Sequence, residues 1–344
     1  MIELNELRDA AQKAFPADAL IPDRDEAWRL VAEMGWLMIE VPEEDGGLGL
    51  GADATATIVY ELGRVLAGAP LIPQLLTLRA LVTATGLADR AGWIERLCGG
   101  EYVPLNVLPS SITMATAPDG TRTLSGVLPG VPEADMAGHV LVCASDIYTL
   151  APLDAPGVTV TERKLWDRSR RLFDITLDGY AVDPALVLAE SPAERAPIEA
   201  RLYAGILLAI AADSMGGAAA ALDVTIEYLK TRKQFERPLA MFQALKHRCA
   251  DLKTQVVAAE ALLWSRAGDP AASLVDLGAA KALASDTYRM VVEEMIQLHG
   301  GIGLTEEHQS HLFMKRAMLN LQLGGSLDAL REQTGRAALA RFAA

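Results

Sequence analysis

The sequence is poor in cysteine, in aromatic residues and in positive charge. Only three cysteines occur in 344 residues, Cys98, Cys143 and Cys249. They are far apart, odd in number and without a Cys-x-x-Cys pair. That excludes a disulfide framework and reads as free core thiols in a reducing compartment. Aromatic residues make up 5% of the chain, and 31 lysines and arginines face 45 acidic residues, for a formal net charge of −14. Such a surface repels nucleic acid and anionic lipid, because phosphate binding needs cations. Neither partner is expected, and an anionic ligand requires a local basic patch. Met1 to Lys13 carries charges throughout and has no apolar run, so it is not a targeting segment. The apolar stretch 202–212 is too short to span a bilayer. A dinucleotide-binding Gly-x-Gly-x-x-Gly is missing as well. The expectation is a soluble cytoplasmic protein with no metal site.

Alanine and leucine dominate, and 51% of residues are hydrophobic. A chain of this length buries a large core without a covalent staple. Residues 1–101 read as a helical domain, with one amphipathic stretch at 25–34 and another helix from Ala52 through Tyr60-Glu61-Leu62-Gly63-Arg64 to a stop at Pro70. Between them lies the Pro/Gly break Val41-Pro42-Glu43-Glu44-Asp45-Gly46-Gly47-Leu48-Gly49. Residues 102–192 change texture to short β-branched runs such as 139–143 and 157–161, set between turn signals at Asp119-Gly120, Pro129-Gly130 and Asp178-Gly179. Residues 193–344 return to helix, with segments at 200–231, 240–267, 274–298, 306–322 and 326–341. The predicted fold is mainly α with a small β module: an N-terminal helical domain, a middle β-barrel-like domain and a C-terminal four-helix bundle.

The missing cations reappear in one place. Residues 230–253 hold Lys230, Arg232, Lys233, Arg237, Lys246, Arg248 and Lys253 against Glu236 and Asp251, a local charge of +5. They converge on Arg232-Lys233-Gln234-Phe235-Glu236-Arg237-Pro238, a loop between two long helices, where a guanidinium can bind phosphate in bidentate fashion. A second loop, Gln297-Leu298-His299-Gly300-Gly301-Ile302-Gly303, offers glycines that let a ligand approach the backbone, beside a Gln amide.

Together these loops resemble the acyl-CoA dehydrogenase family. Arg232 to Phe235 with Phe242-Gln243 and Asp251 is similar to its R-x-x-F…F-Q…D pattern, and Gln297 to Gly303 to its Q-x-x-G-G-x-G. Val41 to Gly49 is similar to its V-P-E-E-x-G-G-x-G, and Glu61 to Arg64 fits the following family helix. The resemblance covers the whole chain. It implies FAD-dependent α,β-dehydrogenation of an acyl-CoA thioester, in which a carboxylate removes the α-proton and the flavin takes the β-hydride. It further implies that Arg232, Phe235, Gln243, Gln297, Gly300 and Gly301 line the adenosine–pyrophosphate part of a neighbouring subunit's FAD, so an oligomer is implied. An electron-transfer flavoprotein is the family's expected electron acceptor.

Three departures qualify that implication. The family's catalytic glutamate lies 27 residues beyond the Gln of the glycine motif; from Gln297 that position is Gly324, within Leu323-Gly324-Gly325-Ser326. A minority of relatives place the base 26 residues before the Arg of R-x-x-F; here that position is Ile206. The β module lacks the family's T-E-P-x-x-G-S-D, and Gly130 and Pro132 stand where the flavin-packing aromatic and hydroxyl are expected. Asp213, two turns beyond Ile206, is the first candidate for a relocated base. Glu293 and Glu294 read as helix-pairing residues, and His299 as structural. Arg168, Arg170 and Arg171 read either as contacts to a CoA phosphate or as a solvated turn. The favoured reading is a base-lacking subunit resembling one chain of the heterotetrameric bacterial steroid acyl-CoA dehydrogenases. The alternatives are a homomeric enzyme with a relocated base, or a scaffold that binds no flavin.

Overall fold

The computed structural model describes residues 3–106 and 108–343, the last three as backbone alone. In chain order the elements are α1 (Leu4–Ala14), α2 (Arg24–Glu33), α3 (Ala52–Arg64), α4 (Leu71–Thr83) and α5 (Arg90–Cys98), then β1 (Thr113–Thr116), β2 (Arg122–Pro132), β3 (His139–Cys143), β4 (Tyr148–Pro152), β5 (Val158–Arg163), β6 (Leu172–Ala181) and β7 (Val187–Ala189). After these come α6 (Pro192–Thr231), a two-residue hairpin of β8 (Lys233–Gln234) and β9 (Arg237–Pro238), α7 (Gln243–Ala267), α8 (Leu274–His299), α9 (Ser310–Gln322) and α10 (Leu327–Ala343). The α–β–α order agrees with the expected fold class. Several boundaries differ, two of them with a cause visible in the structure. The helix expected to run on to Pro70 ends at Arg64, because Leu66 takes a left-handed φ of 55° and a separate helix starts at Leu71. α6 starts earlier than expected: Ser191 Oγ accepts from the Glu194 N–H, and the Glu194 carboxylate accepts from the Ser191 N–H at 2.9 Å. This reciprocal cap nucleates the helix ahead of Pro197.

The chain divides into two compact units. One comprises 23–50 and 68–206, the other 1–22, 51–67 and 207–344. The first holds the two larger sheets, an antiparallel four-stranded β1-β2-β6-β5 and a three-stranded β3-β4-β7. One apolar cluster, including Leu124, Leu128, Val140, Val142, Phe173 and Ile175, is buried between them. The Val41–Gly49 motif also lies in this unit. A Cβ on Gly47 would come within 2.0 Å of the Val41 carbonyl oxygen, so only glycine closes that turn. Asp45 accepts two bonds from Arg90 at 2.7 and 3.0 Å.

The second unit is helical. α8 is central, packing against α7, α9 and α10. α3 meets α6 closely because both carry glycine at the crossing. A Cβ on Gly216 would lie 1.9 Å from the Tyr60 carbonyl oxygen, and one on Gly63 would lie 2.5 Å from that of Asp213. Glu61, 3% exposed, bonds to Gln12 and is flanked by Arg8 and Arg64. The Glu-Leu-Gly-Arg motif is thus a packing device. α6 is long and apolar enough to cross a membrane, but its apolar window is 94% buried. The three cysteines are half-buried rather than core; burial pushes the Cys98 thiol up to about 11, which leaves it a poor nucleophile.

Candidate functional site

The two loops singled out in the sequence lie at the C-terminal ends of α6 and α8. At the first, the Arg232 N–H closes the last turn of α6 onto the Tyr228 carbonyl at 2.8 Å, and the Arg232 carbonyl accepts from the Leu239 N–H at 2.8 Å. Between these bonds the chain makes a tight hairpin rather than an open loop. Its two central residues, Phe235 and Glu236, have φ of 51° and 62°. Mirror-image hairpin turns require this and normally use Asn-Gly. Side chains with a Cβ are strained there, at a cost of about 1–3 kcal/mol each. The hairpin projects Phe235, 85% exposed, with its ring edge-on to Phe242 at 6.2 Å. The Arg237 guanidinium sits 4.1 Å over the Phe242 ring. Arg232, Lys233 and Arg237 are exposed, and no carboxylate among the described residues pairs with any of them. Gln243 is the exposed first residue of α7.

At the second loop, Gly300 ends α8 with φ 65° and ψ −142°, a conformation that favours glycine. Gly300 and Gly301 have nothing within 4 Å of the space a Cβ would occupy, and Gln297 is exposed one turn earlier. Tyr228 brings the loops together. Its ring stacks on His299 at 4.2 Å, and its hydroxyl donates to the His299 carbonyl at 3.3 Å. Tyr228 stands one helical turn before Arg232, and His299 adjoins Gly300. Neither this tyrosine nor its second neighbour, His308, was singled out in the sequence. A signal for them exists only in hindsight, as aromatic residues beside each loop.

Neither expected base position is acidic. Gly324 is half-buried with φ 69°, followed by Gly325 at φ 101°. Beneath this turn the fully buried Lys281 donates from Nζ to the carbonyls of Gly325 at 2.8 Å and Leu321 at 3.4 Å. Burial pushes its ammonium down to about 8. Ile206 is half-buried and apolar. Asp213, the relocated-base candidate, is 3% exposed. Its carboxylate accepts from Arg316 at 2.8 Å and from Asn320 at 2.7 Å, and Arg316 also reaches the Ala67 carbonyl at 2.9 Å. A buried carboxylate held by a guanidinium and an amide is a structural ion pair, not a base facing a substrate. Glu293 pairs with Arg289, and Glu294 with Arg248.

Comparison with known proteins gives the lineage. Residues 4–101 match the acyl-CoA dehydrogenase N-terminal domain and residues 208–339 the acyl-CoA dehydrogenase C-terminal domain. Acyl-CoA dehydrogenase IpdE2 of Mycobacterium tuberculosis is 31% identical over 333 residues, which are 94% of this chain and 90% of that protein. The chain belongs to the acyl-CoA dehydrogenase family. Members of this family are FAD-dependent oxidoreductases acting on acyl-CoA. Among solved structures, the steroid acyl-CoA dehydrogenase Tcur3481–Tcur3483 superposes with a TM-score of 0.83 at 27% identity, covering 99% of both chains. The ChsE4–ChsE5 complex from Mycobacterium tuberculosis shares the fold, with a TM-score of 0.86 at 23% identity over 98% of both chains.

The chemistry of the exposed groups fits one end of FAD. Uncompensated guanidinium and ammonium groups suit a diphosphate, which needs cations without competing carboxylates. The open space at Gly300 and Gly301 admits a ligand to the backbone. Gly130 and Pro132, the residues expected at the flavin-ring end, both lie on β2.

Proposed function

We propose that this chain is the base-lacking subunit of a hetero-oligomeric, cytoplasmic acyl-CoA dehydrogenase. It supplies the diphosphate and adenylate half of the FAD site to a homologous partner that carries the catalytic glutamate. The observation that carries this reading is the split between the two halves. The cationic and glycine loops are retained, whereas both base positions are non-acidic and Asp213 is held by Arg316 and Asn320. The names of two similar structures support it: one is a two-protein steroid acyl-CoA dehydrogenase, the other a complex of two proteins. The exposed apolar side chains Phe235, Met241, Ile302 and Leu304, in or beside the two loops, are ones a partner subunit would cover.

FAD, when bound, supplies the hydride acceptor for the substrate's β-carbon. Arg232 and Lys233 neutralise its diphosphate, Gly300 and Gly301 allow close backbone approach, and Gln243 and Gln297 donate amide hydrogen bonds. Phe235 covers the site with an apolar face. The chain removes no proton from the substrate; that step belongs to the partner's carboxylate. The domain limits 1–101, 102–192 and 193–344 are part of the same proposal. The substrate class is a bulky polycyclic acyl-CoA, on the strength of the steroid enzyme's likeness, with an electron-transfer flavoprotein as acceptor.

In the co-purified complex, Arg232→Ala is expected to lower flavin affinity at least tenfold, since charge-assisted bonds contribute about 1.5–3 kcal/mol. Retention of flavin at wild-type affinity would overturn the half-site reading.

A further inference from the structure

The three aromatic rings behind the two loops have no part in the chemistry, yet they join three chain segments. Tyr228 near the end of α6 stacks on His299 at the end of α8, with 28° between the rings. His308, just ahead of α9, packs against His299 at 4.1 Å and 39°, and lies 6.4 Å from Tyr228. Each imidazole is oriented by backbone. His299 Nδ1 is 2.7 Å from the Met295 carbonyl, which can only accept, so the proton sits on Nδ1. His308 Nδ1 accepts from the Ser310 N–H at 3.2 Å. Ser310 Oγ donates in turn to the Gly303 carbonyl at 2.7 Å and closes the loop that begins at Gly300. Burial lowers the pKa of both histidines, keeping the rings neutral and stackable near neutral pH.

We infer that Tyr228, His299 and His308 form a clasp that fixes the end of α6, and with it Arg232, against the Gly300–Gly301 turn. They are positioning residues for the phosphate-binding half-site. Arg232 follows Tyr228 by one turn, about 6 Å along the axis, so a ring held at 228 restrains the guanidinium's starting point. Without the clasp the exposed hairpin and the glycine turn are linked only at one remove, through the packing of α6 and α7 on α8 and the Arg248–Glu294 pair. The ordering of one against the other then falls on the ligand, which lowers affinity. This inference rests on the half-site reading above.

The test uses the complex co-expressed with its homologous partner, stripped of flavin and titrated with FAD by flavin fluorescence. Tyr228→Phe keeps the stack and loses the hydroxyl; Tyr228→Leu loses the stack. Tyr228→Phe is expected to bind within about twofold of wild type. Tyr228→Leu and His308→Leu are expected to bind about tenfold more weakly, the scale of one aromatic pair. Where Tyr228→Leu fails to assemble, His308→Leu carries the same comparison. Wild-type affinity in the leucine variants, or an equal loss in Tyr228→Phe and Tyr228→Leu, would overturn the clasp. Arg232→Ala run alongside separates the two ideas. If it releases flavin while the leucine variants do not, only the clasp fails. If it too leaves binding unchanged, the half-site reading fails first.

Discussion

Asp213 is the residue on which the competing accounts of this chain divide. Its carboxylate, Arg316 and Asn320 are all buried. Asp213→Asn removes the carboxylate to which Arg316 donates, and breaking such a buried pair costs about 3–5 kcal/mol. The expected outcome is a large fall in melting temperature with turnover per folded complex unchanged; a collapse of turnover at full stability would make Asp213 a base after all. Lys281 gives a second test at this scale. Its folded pKa is depressed to about 8, below that of the unfolded chain. Below about pH 8 both states hold the proton and the burial cost is fully present. Above it the unfolded chain binds more protons than the folded one, so stability rises with pH until the unfolded lysine also titrates. The urea midpoint is expected to increase between about pH 7.5 and about pH 9.5, and to increase less in Lys281→Met. At this scale a motif in the sequence points to Arg232 and Gln297, and the structure places both exposed at the ends of their helices. Lys281, Arg316 and Asn320 carry no pattern, since their roles depend on partners more than 30 residues away in the chain.

Among the elements, the crossing of α3 and α6 and the β8–β9 hairpin are the most exacting. Gly216→Ala would drive a methyl into the Tyr60 carbonyl, so the helices must separate. A loss of about 1–3 kcal/mol is expected, measured by urea unfolding, as for other overpacked contacts. Glu236→Gly acts in the opposite direction. It relieves a left-handed side-chain conformation and is expected to stabilise the chain by about 1 kcal/mol. The C-terminal helix positions, the β module and the glycine stop at Gly300 were readable from period and punctuation, whereas α1, α4 and α5 were not placed individually. The hairpin was not, because Phe-Glu is an unfavourable pair for a turn that normally takes Asn-Gly. The strain coincides with the proposed ligand loop, where local rules give way to function.

For the molecule as a whole, composition set the terms: a net charge of −14, with seven of the 31 lysines and arginines concentrated in residues 230–253. That stretch, the family membership and the non-acidic base positions are what the proposed half-site subunit rests on. The family was legible from four motifs, and counting along two of them led to Gly324 and Ile206, neither of which is acidic. The Tyr228–His299–His308 arrangement needed coordinates, because stacking across three segments leaves no spacing rule. The most direct test of the account is the visible spectrum of this chain purified alone and after co-expression with a homologous glutamate-bearing subunit. The account predicts a colourless protein alone and a yellow complex that an acyl-CoA substrate bleaches. A yellow protein alone, at one flavin per subunit and bleached by acyl-CoA, would contradict it.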